Sequence, residues 1–286
     1  MLTQIVIATD GSKQSIEACK SGISLASRIG CGVKVVFVVD SRKTEMPLMY
    51  SGSTFDLAFE RIYIPPDPGL QKYYEKIRED LFSFGQNVLD TCKEIAEKES
   101  LDGEYLVREG LPSEKICEES HSGDILVIGQ TGENSKFDRA IVGSTTEDVV
   151  RTSPRPVLVV SGEQIEYKTV LFAYDGSRSA ENALRFYVNA LNTVWERLVL
   201  LHIGEEGPVS RELDEECEFL EGHNINYSIL TKEGKVVESI CEASQEVDAD
   251  VVLLGSHGQR KIRDYLLGST TSHLVRKSKL PILIVY

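Results

Sequence analysis

Two glycine-rich segments, one in each half of the chain, carry residue types that suit phosphate binding. In the C-terminal half, Gly255 and Gly258 are followed after nine residues by Gly268, Ser269 and Thr270. Glycine lets the backbone approach a polyphosphate closely, and successive backbone amides can form a concavity that binds anions. Hydroxyl groups at a helix N-terminus add donors where the helix dipole already favours negative charge. The pattern indicates an anion site, and the alternative is that Ser269 serves only as a helix N-cap.

The N-terminal half repeats this pattern with one additional residue in its loop. Gly129 and Gly132 are followed after ten residues by Gly143, Ser144 and Thr145. The charges between the second and third glycines also differ: they sum to zero over Glu133, Lys136, Asp138 and Arg139, and to +2 over Arg260, Lys261, Arg263 and Asp264. Because a polyphosphate is strongly anionic, we expect the second site to bind it better. The first site is expected to bind weakly or to prefer fewer phosphates.

An aspartate lies at the end of the first predicted strand in each half. The two segments are Asp10-Gly11-Ser12 and Asp175-Gly176-Ser177. Ligands of open parallel sheets collect beyond the carboxyl ends of the strands, where the strand order reverses. We therefore expect these aspartates to lie near the glycine-rich loops, which follow the fourth strand of each half. The alternative is that Asp-Gly forms only a turn at each position.

The chain is an internal repeat, and the repeat sets its architecture. Residues 142–160 and 267–285 agree at ten of nineteen positions without a gap, and the segments that end at Ser12 and Ser177 also correspond. Each half alternates short apolar strands with amphipathic helices, which is typical of a doubly wound parallel sheet. We predict two α/β domains, at residues 1–161 and 167–286, each with a five-stranded Rossmann-like sheet.

The elements of the first half can be located from hydrophobic periodicity. Strands are predicted near residues 4–9, 33–39, 104–108, 124–128 and 156–160. A helix is predicted at 73–98, with an apolar stripe that should pack on the sheet and consists of Ile77, Leu81, Phe84, Val88, Cys92 and Ile95. Residues 41–72 have no counterpart in the second half, and this insertion is expected to be a lid, a partner-binding segment or disordered. The last strand of each half is strongly apolar for a sheet edge, so the halves are predicted to pair through these strands.

The spacing G-x2-G-x9-G-S/T after a strand, together with the aspartate that ends strand one, resembles the ATP-binding universal stress proteins across both halves. The resemblance implies an adenine nucleotide alpha hydrolase-like fold, with the two halves packed as a pseudo-dimer within one chain. It also implies that Asp175 contacts the ribose or a metal-bound water and that the backbone around Ile203 holds the adenine edge. The phosphates would be bound by Gly255, Gly258, Gly268, Ser269 and Thr270. The matching first-half residues are Asp10, Gly11, Val39, Gly129, Gly132, Gly143, Ser144 and Thr145, and Gly176 matches Gly11.

The resemblance favours a regulatory stress-response protein that binds ATP, ADP or AMP, with Mg²⁺ as a candidate companion ion. The second possibility is an enzyme that hydrolyses ATP slowly, with Asp175 and a divalent ion positioning water. The sequence has no GxxxxGK[ST] loop, no G-x-S-x-G elbow and no carboxylate cluster with metal-ligand spacing, so no catalytic residue or protein metal site is predicted. The third possibility is an interaction module that binds no nucleotide.

Composition bounds the partners and the compartment. The 286 residues carry a formal net charge of −14, which argues against nucleic acid and anionic membranes as partners. The N-terminus has no secretion signal, no apolar run approaches the ~18 residues of a membrane span, and the six cysteines are scattered. We therefore expect a cytoplasmic chain with reduced cysteines. The tandem chain should act as its own dimer, two chains could still form a homodimer, and the sequence identifies no protein partner.

Overall fold

A computed structural model of the chain describes residues 2–45, 54–57, 60–63, 67–132, 142–162, 165–204, 211–256 and 268–286. The first half contains β1 (Gln4–Thr9), α1 (Lys13–Ile29), β2 (Gly32–Asp40), α2 (Ser41–Thr44), β3 (Thr54–Leu57), β4 (Glu60–Tyr63), α3 (Pro68–Lys98), β5 (Gly103–Gly110), α4 (Pro112–Ser120), β6 (Ile125–Gly129), α5 (Ser144–Thr152) and β7 (Val157–Val160).

Over its described residues, the second half repeats this order without α2 and the β3–β4 hairpin. It contains β8 (Thr169–Tyr174), α6 (Arg178–Phe186), a π-helical turn (Tyr187–Leu191), β9 (Arg197–Ile203), α7 (Arg211–Gly222), β10 (Tyr227–Lys232), α8 (Val236–Glu246), β11 (Val251–Gly255), α9 (Ser269–Lys277) and β12 (Ile282–Val285). Within the described ranges, no helix is long and apolar enough to cross a bilayer.

Ten strands form one sheet in the order β10-β9-β8-β11-β12-β7-β6-β1-β2-β5. Pairing is parallel inside each half, so each half is a five-stranded doubly wound sheet, as the sequence predicts. The inner strands are apolar and buried because helices cover both faces, which is the usual condition of parallel sheets, whereas the edge strands β5 and β10 carry exposed polar residues. The predicted first-half strands begin and end within two residues of the observed ones.

The two halves join through an antiparallel pair between β7 and β12. Leu283 lies opposite Leu158, and both side chains are buried. The predicted pairing of the last strands is therefore confirmed, and it removes two apolar sheet edges from solvent at once. Side chains add contacts across this joint: the Tyr167 hydroxyl donates to the Ser21 carbonyl at 3.0 Å, and the Tyr286 hydroxyl donates to the Val150 carbonyl.

Helix α3 differs from the prediction at its N-terminus and along its apolar stripe. It begins at Pro68 instead of residue 73, because Asp67 caps it by accepting hydrogen bonds from two backbone amides of the first turn. Its 31 residues span about 46 Å, whereas the nine-residue strand β2 spans about 30 Å. The buried residues accordingly start at Gly85, and Phe84 is 44% exposed although its ring stands edge-on to Phe37 of β2, with 5.8 Å between the ring centroids.

The insertion at 41–72 contains α2, the β3–β4 hairpin and the first turn of α3. Residues 46–53, 58–59 and 64–66 lie outside the described ranges. The function of the insertion as a lid or a partner-binding segment stays a prediction.

All six cysteines are free thiols, of which Cys19, Cys31 and Cys92 are buried and the others are half-buried.

An aspartate ties the start of the first strand to the strand beside it in each half. Asp124 accepts hydrogen bonds from the backbone amides of Thr3, at 2.6 Å, and Gln4, at 3.1 Å. Asp250 does the same for Lys168 and Thr169 in the second half. Burial acts to raise the pKa of Asp124, but these hydrogen bonds outweigh it and bring the pKa below the usual 3.8.

We predict that Asp124→Asn lowers stability at neutral pH but not in acid. Because the pKa of Asp124 is lowered in the folded chain, its contribution is present above about pH 3.8 and is lost as the pH falls through the folded value. Urea denaturation at pH 7 should show a loss of about 1–2 kcal/mol, and the gap to wild type should narrow towards pH 3. The exposed Asp102→Asn is the control and should match wild type. A gap that stayed constant with pH would contradict the prediction.

We also predict that the joint between the halves contributes strongly to stability. Leu158→Ala and Leu283→Ala should each lower the free energy of unfolding by about 2–5 kcal/mol, because each leaves a cavity between packed strands. The double variant should lose less than the sum, since the two side chains face each other. Ile229→Ala on β10, where the side chain is 42% exposed, is the control and should cost less than about 1 kcal/mol in the same denaturation experiment.

Candidate functional site

The strand order reverses next to the first strand of each half. In the first half the chain runs outward from β1 to β2 and β5, then returns to β6 on the other side of β1. In the second half it runs from β8 to β9 and β10 and returns to β11. Helices leaving neighbouring strands in opposite directions open a crevice beyond their carboxyl ends. The predicted aspartates and glycine-rich loops follow these strands in both halves.

A cavity of about 1030 Å³ lies at this edge of the first half. Its lining includes seven of the eight first-half residues that the sequence predicts, namely Asp10, Val39, Gly129, Gly132, Gly143, Ser144 and Thr145. Gly11 is not part of the lining. One wall is apolar and is formed by Phe37, Leu81, Phe84, Ile116 and Ile128. The cavity therefore combines an apolar wall with a glycine-rich, hydroxyl-bearing end.

Asp10 is held by the turn that leads into α1. Its Oδ1 accepts a hydrogen bond from the Ser12 amide at 3.0 Å, and Ser12 in turn caps the helix. Gly11 has φ +80°, and a Cβ there would come within 2.7 Å of Val88. Both the turn and the packing therefore require a glycine at Gly11. This agrees with the alternative that the Asp-Gly pair forms a turn. A Cβ on Gly132 would lie 2.6 Å from Asp10 Oδ2, so the aspartate and the glycine-rich loop are in close contact.

The loop after β6 is fastened to α1 and α5. The side-chain oxygen of Gln14 accepts from the Thr131 amide at 2.9 Å, and the Thr146 hydroxyl donates to the Gly129 carbonyl at 2.8 Å. A Cβ on Gly129 would stand 3.2 Å from the backbone of Gln14 and Ser15. The sheet and α1 approach so closely here that only glycine leaves the backbone undisturbed.

Gly143 is different, because no packing contact demands a glycine there. Its φ of −61° and ψ of 136° suit any residue, and the nearest atom to an added Cβ is the Gly132 nitrogen at 3.5 Å. Gly143 is the N-cap of α5, and Gly268 is the N-cap of α9. Ser269 is therefore the first helical residue and not the N-cap, so the N-cap interpretation of this serine is wrong. A glycine N-cap has no side chain to bond the first amides of the helix, and those amides need other acceptors.

The second half has the same backbone frame. The Ser177 amide donates to Asp175 Oδ1 at 3.0 Å, Gly176 has φ +70°, and the Gly268 amide donates to the Ser256 carbonyl at 3.1 Å. The Thr271 hydroxyl donates to the Gly255 carbonyl at 3.4 Å. Ile203 ends β9, which places it at the same edge of the sheet. Ser269 and Thr270 form the first turn of α9.

The residues on which the predicted ranking of the two sites depends lie outside the described ranges. These are the charged residues at 260–264 and those at 133–139; the predicted phosphate residue Gly258 also lies outside these ranges. The prediction that the second site binds a polyphosphate better stays a prediction.

Three cations that the sequence analysis did not assign to a site line the first-half cavity: Arg42 and Lys43 from α2, and Arg276 from α9. Asp40 accepts two hydrogen bonds from the Arg42 guanidinium, at 2.8 and 2.6 Å, and this pairing lowers the pKa of the Asp40 carboxyl. Arg42 and Lys43 follow strand two directly, so their position could have been inferred. Arg276 belongs to the other half of the chain, and no local signal points to it.

These features define a class of protein: a doubly wound α/β fold with a ligand-sized crevice where the strand order reverses. The sequence model of the universal stress protein family matches residues 1–161 and again residues 166–286. The chain belongs to the universal stress protein family, as a tandem of two such regions.

Individual relatives agree with this assignment. Universal stress protein Slr1230 from Synechocystis is 25% identical over 288 residues, which cover 99% of each chain. Universal stress protein MJ0531 from Methanocaldococcus jannaschii is 32% identical over 161 residues, which cover 55% of this chain and 81% of its own. The crystal structure of a universal stress protein from Archaeoglobus fulgidus superposes with a TM-score of 0.74 at 20% identity, covering 99% of this chain and 97% of its own. That last similarity concerns the fold alone.

The glycines should separate into two kinds when each is replaced by alanine. A Cβ on Gly255 would lie 2.7 Å from the backbone of Ser179 and Ala180, so Gly255→Ala should lower the free energy of unfolding by about 3 kcal/mol. Gly143→Ala should cost less than about 1 kcal/mol, because its Cβ meets only ordinary contacts. Denaturation of the ligand-free chain measures both. Equal losses would show that the two glycines do not differ in this way.

Proposed function

We propose that this chain is an adenine nucleotide-binding regulatory protein that holds ATP, ADP or AMP in the first-half cavity and at the equivalent position of the second half. The observation that carries the proposal is the lining of the cavity. Asp10, Val39 and the residues of the glycine pattern converge on it from separate segments of the chain. A volume of about 1030 Å³ is at the upper end of ordinary ligand pockets, which are roughly 300–1,000 Å³.

The distribution of residues along the lining suits a nucleotide. Phe37, Leu81 and Ile128 offer apolar surface to a base, while Gly143 and Ser144 lie at the N-terminus of α5. Backbone amides and the helix dipole favour an anion at that end. A phosphate oxygen would supply the acceptors that the glycine N-cap cannot provide to the first amides of α5.

The residues also suit a divalent companion ion such as Mg²⁺. The Asp10 carboxylate lines the cavity, and carboxylates together with phosphate oxygens are the usual ligands of Mg²⁺ in nucleotide sites. The ion would neutralise phosphate charge beside this carboxylate.

We place the protein in the cytoplasm, in keeping with its six free thiols.

Bound nucleotide should be released when the purified protein is denatured, and chromatography can identify and count it. We expect an adenine nucleotide at up to two per chain. Gly143→Val should remove the share of the first half, because a branched side chain enters the site at a backbone conformation that valine adopts without strain. Gly268→Val should remove the share of the second half.

Gly222→Val is the matched control, since a Cβ at that position meets nothing within 4 Å and Gly222 ends α7, outside the cavity lining. It should retain wild-type nucleotide. If wild type releases none and Mg-ATP gives no calorimetric signal with the folded chain, the nucleotide proposal is wrong and an interaction module takes its place. Release of ADP from chains loaded with ATP would instead favour the slow hydrolase.

A further inference from the structure

Arg276 belongs to the second half of the chain but lines the cavity of the first half. It lies in the last turn of α9, and its Nε is 2.5 Å from Oε1 of Glu147, 129 residues earlier. Glu147 lies in the first turn of α5, next to Ser144 and Thr145. The guanidinium is therefore at the end of the cavity where the helix N-terminus favours an anion.

The glycine-rich loop of the first half holds α9 in this position. Gln130, between Gly129 and Thr131, donates from its side-chain amide to the Val275 carbonyl at 2.7 Å and the Ser278 carbonyl at 3.1 Å. These carbonyls flank Arg276 at the C-terminal end of the helix, which needs donors for its last carbonyls. The same loop thus lines the cavity and fixes the helix that carries Arg276.

The charges around the cavity indicate what Arg276 does there. The described lining of the cavity contains three carboxylates and three cations, namely Asp10, Asp40, Glu147, Arg42, Lys43 and Arg276. Glu147 is the carboxylate in the first turn of α5, and without a cation it would repel a phosphate there. A guanidinium carries five donors in a planar fork, so it can bond Glu147 and a phosphate at the same time.

We propose that Arg276 binds the phosphate end of the ligand in the first-half site, so that this site is completed by the second half and favours nucleoside polyphosphates over nucleosides. The nucleotide part of this inference rests on the proposed function. An ordinary ion pair between the halves would look the same in the structure, but it would act on stability and not on binding. The Arg276 side chain is 55% exposed, and ion pairs of that exposure contribute little to stability.

The test is calorimetric titration of the full chain with Mg-ATP, adenosine and inorganic triphosphate, in a Gly268→Val background that leaves the first site to report. Arg276→Gln should weaken binding of ATP and triphosphate about tenfold or more, since a hydrogen bond to a charged group is lost, and adenosine less than about twofold. Arg276→Lys keeps the charge without the fork and should give an intermediate loss. Glu147→Gln should tighten ATP binding a few-fold.

Lys277→Gln is the matched control, because it removes the same charge from the same turn of α9 at an exposed residue outside the cavity lining. It should change ATP binding less than about twofold. Circular dichroism should show the Arg276 variants folded with thermal midpoints close to that of the parent.

The outcomes separate the two proposals. If ATP binds and Arg276→Gln binds it as tightly as Lys277→Gln does, the contribution of Arg276 is refuted while nucleotide binding stands. If no nucleotide binds but triphosphate binds in an Arg276-dependent way, the anion site stands and the nucleotide proposal falls. If neither ATP nor triphosphate binds, both proposals are overturned.

Discussion

The antiparallel pairing of β7 with β12 is the interaction on which the rest of this structure depends. Two parallel sheets that each end in an apolar strand would expose two edges to other chains, and joining them edge to edge satisfies both. The joint also brings the end of α9 to the start of α5, where Arg276 bonds Glu147. Each helix begins at the glycine-rich loop of its own half, and α9 ends against the loop of the other half.

Close packing between the sheet and the first helix of each half imposes a second constraint. Packing requires a glycine at Gly255, where a Cβ would lie 2.7 Å from the backbone of α6, and favours one at Gly129, where it would lie 3.2 Å from the backbone of α1, whether or not a ligand is present. A glycine pattern after a strand is therefore weak evidence of phosphate binding by itself. Gly143 is the more informative residue, since neither its backbone angles nor its neighbours require a glycine. What carries weight is the common cavity on which these residues converge with Asp10 and Val39.

The sequence predicts much of this fold because its signals are local and repeated. Apolar strands of four to nine residues, amphipathic helices and a second copy of the same order leave few alternatives to two doubly wound sheets. Helix α3 shows where local signals fail: its periodic stripe continues past the sheet, and Phe84, which the stripe predicts to be buried, lines the cavity and is 44% exposed. Arg276 could not be predicted at all, because it meets Glu147 only through the pairing of β7 with β12.

A count of the charges within each glycine-rich loop also omits cations from other elements, since Arg42, Lys43 and Arg276 line the first-half cavity from outside its loop. The two halves also differ at several residues where they touch. Gln130 corresponds to Ser256, Glu147 to Ser272 and Tyr286 to Ser161, so three polar side chains that bind across the joint match serines in the other half, whereas Arg276 corresponds to Arg151. At these positions, a side chain that is long enough to bind across the joint in one half is therefore replaced by a short one in the other half. A tandem chain can keep such differences because its halves are free to vary separately, whereas two identical subunits related by a twofold axis must present the same residues to each other. Fusion of the halves thus allows the partner of the arginine to differ: Arg276 bonds Glu147, whereas the residue of the second half that corresponds to Glu147 is Ser272.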